Sequence, residues 1–127
     1  DDVVKVEAYK MISAVKNTVH AKEIQDELKD RFGPLPLSVK NLITTSLIKS
    51  FGEMAGLSVI SKTENSFRLK YADETRVDFN KLMGIMEEYK RDVKLMATEP
   101  PTIIFMPKRM AVQELFTFLN RITRCIM

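Results

Sequence analysis

Apolar residues recur at a helical spacing through the first third of the chain. Val4, Ala8, Met11, Ile12 and Val15 stand at i, i+4, i+7, i+8 and i+11, which predicts an amphipathic helix over Val3 to Lys16. Asn17 or Thr18 can cap a second helix running to Phe32, with Ile24, Leu28 and Phe32 as its apolar stripe. Gly33 and Pro34 stop it, because glycine accepts a positive φ and proline cannot continue a helix. Pro36 suits the first position of a third helix, whose long apolar face is Val39, Leu42, Ile43, Leu47, Phe51 and Met54, ended by Gly56. The period then shortens to two. Leu57–Ile60 and Phe67–Tyr71 read as paired strands joined through Lys62–Asn65, the second strand with clean apolar and polar alternation. After a turn at Ala72–Thr75, Asp78 can cap a fourth helix carrying Leu82, Ile85, Met86 and Tyr89, somewhat weakened by Gly84. Val93–Met96 and Ile103–Met106 flank a two-proline segment and predict a second hairpin. Met110–Met127 closes as a helix with Val112, Leu115, Phe116, Leu119 and Ile122 on one side. The predicted class is α+β: N-terminal helices, then a small antiparallel sheet interleaved with helices.

At 127 residues the chain is long enough for one domain and short for two, so residues 1–127 are expected to form a single domain. An apolar content of 45% and a charged content of 29% fit a soluble globular protein. No apolar run nears the roughly 18 residues of a membrane span, and Asp1-Asp2-Val3-Val4 is unlike a signal peptide; the expected setting is cytoplasmic, with no membrane partner. One cysteine (Cys125) and one histidine (His20) allow neither an internal disulfide nor a His/Cys zinc site. The four glycines are scattered and build no phosphate-binding loop, and no nucleophile stands near His20 in sequence. Catalytic, metal and cofactor residues are therefore expected to be none. His20 reads as a solvated side chain at a helix start and Cys125 as a small packed hydrophobe. Of the eight methionines, Met11, Met54, Met83, Met86, Met96 and Met106 read as core gap-fillers.

Twenty basic against seventeen acidic residues leave a net charge of only +3, so charge has to be read locally. Glu23, Asp26, Glu27 and Asp30 stand at i, i+3, i+4 and i+7, four carboxylates within an arc of roughly 100° opposite the stripe of the second helix. Asp30 sits in the last turn, where the helix dipole favours a cation. The face reads either as a solvated surface with Lys22 and Lys29 beside it, or as a docking surface for an arginine-bearing protein. Carboxylates repel phosphate, so this helix should face away from nucleic acid. The basic residues are dispersed over several elements and lack interleaved aromatics.

Glu7-Ala8-Tyr9-Lys10-Met11-Ile12-Ser13-Ala14, then Asp26-Glu27-Leu28-Lys29-Asp30-Arg31-Phe32-Gly33-Pro34-Leu35-Pro36 and Val39-Lys40-Asn41-Leu42-Ile43, resemble the C-terminal domain of the bacterial transcription-repair coupling factors. The likeness is strongest over Val3 to Leu57 and rests on the Asp-Arg-Phe-Gly-Pro-Leu-Pro run. It implies a regulatory, non-catalytic domain of a longer ATP-driven DNA translocase that displaces stalled RNA polymerase and recruits UvrA for nucleotide excision repair. It further implies docking on the UvrB-like module of the same protein, which masks the UvrA-binding surface, with ATP and magnesium used elsewhere in the full-length protein. Glu27 and Asp30 fall on the acidic positions of the family's Glu-x-x-Asp-Arg-Phe-Gly motif, and with Glu23 and Asp26 they are the expected protein-interaction residues. The alternative, from another class, is a stand-alone nucleic-acid-binding domain whose sheet face uses Phe67, Arg68 and Tyr71; a small enzyme comes third.

Overall fold

Local signals start and stop most of the helices of the computed structural model, which describes residues 2–127. Helix α1 spans Asp2–Ser13, α2 Thr18–Phe32 and α3 Leu37–Met54. The α1 stripe buries Ile12 and Val15, while the side chain of Val4 lies outside the described residues. α1 stops three residues short of the predicted end. Ala14 and Val15 close it with N–H bonds to the carbonyls three residues back, and the buried Ser50 hydroxyl donates to the Val15 carbonyl at 2.6 Å, satisfying an oxygen the helix leaves over. α1 and α2 pack on each other.

Asn17 is the residue that caps α2: its side-chain oxygen accepts from the His20 backbone N–H at 2.8 Å. Gly33 closes the helix at φ +80, ψ −162, a region open in practice only to glycine, and its N–H donates to Lys29 O. Pro36 sits one place earlier than predicted. It precedes α3, and its carbonyl accepts from the N–H groups of Val39 and Lys40. Phe32 departs from its expected place on the α2 stripe: Ala21, Ile24 and Leu28 are buried, whereas Phe32 is 45% exposed.

The backbone groups into two compact units, one ending at Phe51 and one running Gly52–Met127, with the division inside α3. In the second unit, β1 (Leu57–Lys62), β2 (Phe67–Tyr71), β3 (Val93–Met96) and β4 (Thr102–Phe105) form one antiparallel sheet in the order β1-β2-β4-β3. The two predicted hairpins are thus joined: β4 lies between β2 and β3, with Leu69 opposite Ile103 on one side and Leu95 opposite Ile103 on the other. Helix α4 (Phe79–Tyr89) starts from an Asp78 cap that accepts from Lys81 N–H, as expected, and α5 spans Val112–Thr123. α5 ends before the chain does. A turn at Arg124 and Cys125 follows it and brings Ile126 into a bridge with Val77, while Cys125 O accepts from Asp78 N–H and Arg76 O from Met127 N–H.

Aromatic rings meet within the largely aliphatic core of this unit. Phe105 of β4 stacks on Phe118 of α5 at 4.3 Å between centroids, and Tyr89 of α4 meets both rings edge-on at 5.8 and 5.1 Å. The α5 face that supplies it is Leu115, Phe118, Leu119 and Ile122, all buried, while Val112 points out. The methionines correct part of another expectation: Met54, Met83 and Met96 are exposed and fill no core gap, whereas Met11, Met86 and Met106 are partly covered.

Tyr71 is fully buried, and its hydroxyl finds no hydrogen-bond partner among the described residues. Burial pushes its ionisation far above the usual phenol range. Replacing this hydroxyl by hydrogen in Tyr71→Phe removes a desolvated, unpaired group and keeps the ring. The expected result is a gain of about 1 kcal/mol in urea unfolding. A loss of that size would show that the hydroxyl is bonded in solution.

Candidate protein-interaction surface

Helix α2 builds the surface that the charge pattern singled out. Burial of Ala21, Ile24 and Leu28 fixes the rotation of the helix, and the 3.6-residue period then turns Glu23, Asp26, Glu27 and Asp30 outward; all four are exposed. Two of them hold partners from their own helix. Lys22 Nζ lies 3.3 Å from Asp26 Oδ1, and an Arg31 guanidinium nitrogen lies 3.0 Å from Glu27 Oε1, both pairs at i,i+4. Neither Glu23 nor Asp30 has an ion pair among the described residues. Exposed pairs of this kind are worth at most about 1 kcal/mol, so an arginine from a partner can displace Lys22 or Arg31 at small cost. Lys22 was visible beside the array from the sequence, whereas Arg31, the cation that holds Glu27, was not counted there.

A further member of this face was missed. Val19 is 67% exposed and stands four residues before Glu23 and seven before Asp26, so it continues the acidic line toward the helix start. Its helical phase was the available signal. Carboxylates around an uncovered aliphatic side chain offer both electrostatic steering and apolar contact area.

The sheet-face alternative fails on the direction of its side chains. Phe67 and Tyr71 point into the core and are buried; of the three residues invoked, only Arg68 is exposed. Base stacking needs accessible rings, and here the rings pack against each other instead: Phe67 stacks with Phe105 at 6.1 Å. Nor do the α2 carboxylates converge as a catalytic pair would, since they are spread along the outside of a helix. Among the described residues no group of three His, Cys, Asp or Glu is placed to hold a metal ion. Cys125 is buried, and burial raises its thiol above the ordinary cysteine range, which disfavours the nucleophilic thiolate. His20 is partly covered, its backbone tied to Asn17. No helix among the described residues is long and apolar enough to cross a membrane.

Comparison with known proteins connects this surface to a family. A family model described as the TRCF domain matches residues 1–82, which include all of α2 and run on through β2 into α4. The transcription-repair-coupling factor of Bacillus subtilis is 29% identical over 93 residues, 72% of this chain and 8% of that protein. The protein of that name in Rickettsia typhi is 20% identical over 122 residues, 96% of this chain and 10% of that protein, and the one in Escherichia coli is 25% identical over 87 residues, 68% and 8%. The chain therefore spans a tenth or less of the length of these relatives. Among solved structures, the C-terminal domain of transcription-repair coupling factor superposes with a TM-score of 0.76 at 21% identity, over 99% of this chain and 83% of that one, which establishes the same α+β fold.

Proposed function

The chain belongs to the TRCF domain family, and on that premise we propose that it is the C-terminal regulatory domain of a multidomain transcription-repair coupling factor. In this reading the whole protein is an ATP-driven DNA translocase of the cytoplasm that displaces stalled RNA polymerase and recruits UvrA. The present domain is not its motor: ATP and magnesium belong to other parts of the chain. The domain docks through α2 on the UvrB-like module of the same protein and covers the surface that UvrA uses.

One observation carries this reading: Glu27 and Asp30, the acidic positions of the Glu-x-x-Asp-Arg-Phe-Gly motif, stand exposed on one face of α2 within the matched region. The physical chemistry of a releasable clamp agrees with such a face. A tethered contact needs little intrinsic affinity, because the linkage supplies an effective concentration up to about millimolar. Charge complementarity provides orientation and specificity, and a polar contact opens more readily than a large apolar one. Opening then exposes the masked surface, and engagement of polymerase and DNA favours the open form.

The test is UvrA binding by the full-length protein without polymerase, wild type beside the Glu27→Lys, Asp30→Lys pair. Charge reversal is expected to open the clamp and raise UvrA binding by about tenfold or more, equivalent to ~1.4 kcal/mol of lost docking energy. Titration of this domain with the separate UvrB-like module should lose its heat in the same variant. Unchanged UvrA binding by the double variant overturns the reading and returns the acidic face to a solvated helix surface.

A further inference from the structure

Two of the four glycines are required by the backbone, and a third meets a neighbouring side chain. Gly33 and Gly56 have positive φ, and a Cβ on Gly52 would lie 2.6 Å from Ile60 Cδ1. Gly84 has neither reason. It stands inside α4, exposed, with nothing within 4 Å of where its Cβ would be. An exposed glycine in a helix interior destabilises the helix relative to alanine, and no close approach among the described residues calls for one here.

Gly84 lies on the wall of a groove of about 370 Å³ formed along α4 and the end of α5. Lys81, Gly84 and Glu88 follow one line at i, i+3 and i+7 on α4; Arg121 and Arg124 stand on the other side, over a floor of Ile85 and Cys125. The Arg121 guanidinium binds the Glu88 carboxylate from one helix to the other, so the one acid of the groove is already paired. Lys81 and Arg124 have no ion pair among the described residues, which leaves one unpaired cation on each side of the groove, whose floor is closed by the buried Ile85 and Cys125.

We propose that this groove is a second protein-docking site, occupied by an amphipathic helix of a partner that presents a line of small residues flanked by carboxylates. The bare backbone at Gly84 lets a second helix approach closely, as small residues do wherever helices cross tightly. Lys81 and Arg124 then meet the flanking carboxylates, and the line of small residues lies over the bare backbone at Gly84. Nucleic acid fits less well: the groove carries no aromatic side chain for bases, and Glu88 stands on its wall. The groove is built from elements other than α2, and its occupant is proposed on separate observations.

The test uses this chain and a fluorescent, end-capped helical peptide with alanines along one face and glutamates beside them, read by anisotropy. The wild type is expected to bind saturably, more weakly as salt rises. Gly84→Leu is expected to weaken binding by about tenfold or more, as is the Lys81→Glu, Arg124→Glu pair. Gly84→Ala should raise the Tm by about 3–5 °C, the signature of a residue kept for something other than stability. Absence of saturable binding, wild-type affinity in Gly84→Leu, or a Tm that falls in Gly84→Ala each overturns the proposal. Displacement of the peptide by an oligothymidylate that needs the same two cations also overturns it and reassigns the groove to a phosphate backbone.

Discussion

Phe118→Ala is expected to remove about 3–5 kcal/mol of unfolding free energy, a third or more of what a domain of this size commands. The ring is completely buried, stacked at an interplanar angle of 11° on Phe105 and met edge-on by Tyr89, so its loss leaves a cavity bordered by α4, α5 and β4. Two aromatic contacts vanish together, each worth about 0.5–1.5 kcal/mol beyond the area they bury. Tyr89 and Phe105 also touch each other at 5.8 Å, which limits how far either can move to fill the space. The fitting control is Val112→Ala on the same helix. Val112 belongs to the stripe that spacing alone selects, but it faces solvent, and its truncation should change stability by less than about 0.5 kcal/mol. Urea midpoints of the two variants separate the possibilities: a large loss at 112 and a small one at 118 would mean that α5 is rotated from the orientation described.

That pair of residues also marks where sequence reading stops. Elements defined by local chemistry were legible: the Asn17 and Asp78 caps need an oxygen near N–H groups two or three residues on, and the Gly33 stop needs a φ that other residues avoid. The acidic face of α2 was legible for the same reason, since the helical period that buries Ile24 and Leu28 turns Glu23 and Asp30 outward. What depends on distant segments was not. The insertion of β4 between β2 and β3 is a choice of strand partner that no spacing encodes, and so is the packing that buries the face carrying Phe67 and Tyr71. Leu115, Phe118, Leu119 and Ile122 satisfy a helical stripe as well as the set containing Val112 and Phe116 does; only packing against Phe105 and Tyr89 decides between them. The groove beside Gly84 was hidden likewise, because Lys81 and Arg124 become neighbours of one cavity only when α4 lies along α5.

Gly56→Ala tests a contact of this nonlocal kind and is expected to cost about 2–3 kcal/mol. Two effects add. At φ +76 an alanine Cβ crowds the following carbonyl, worth about 1–2 kcal/mol by itself. The same Cβ would lie 2.6 Å from Ile126 Cδ1 and 3.2 Å from its Cγ1, closer than carbon atoms approach, so Ile126 must give way. Ile126 is not free to do so without loss, for it bridges to Val77 between two backbone bonds, Asp78 N–H to Cys125 O at 2.7 Å and Met127 N–H to Arg76 O at 2.8 Å. Ile126→Val removes the Cδ1 methyl and costs about 1 kcal/mol in the wild-type background. In the Gly56→Ala background the same truncation relieves the clash, so it should cost little or even restore stability, a coupling of about 1 kcal/mol between positions seventy residues apart in sequence. Strict additivity would assign the whole loss to the backbone at Gly56 and show that the last residues of the chain move aside freely.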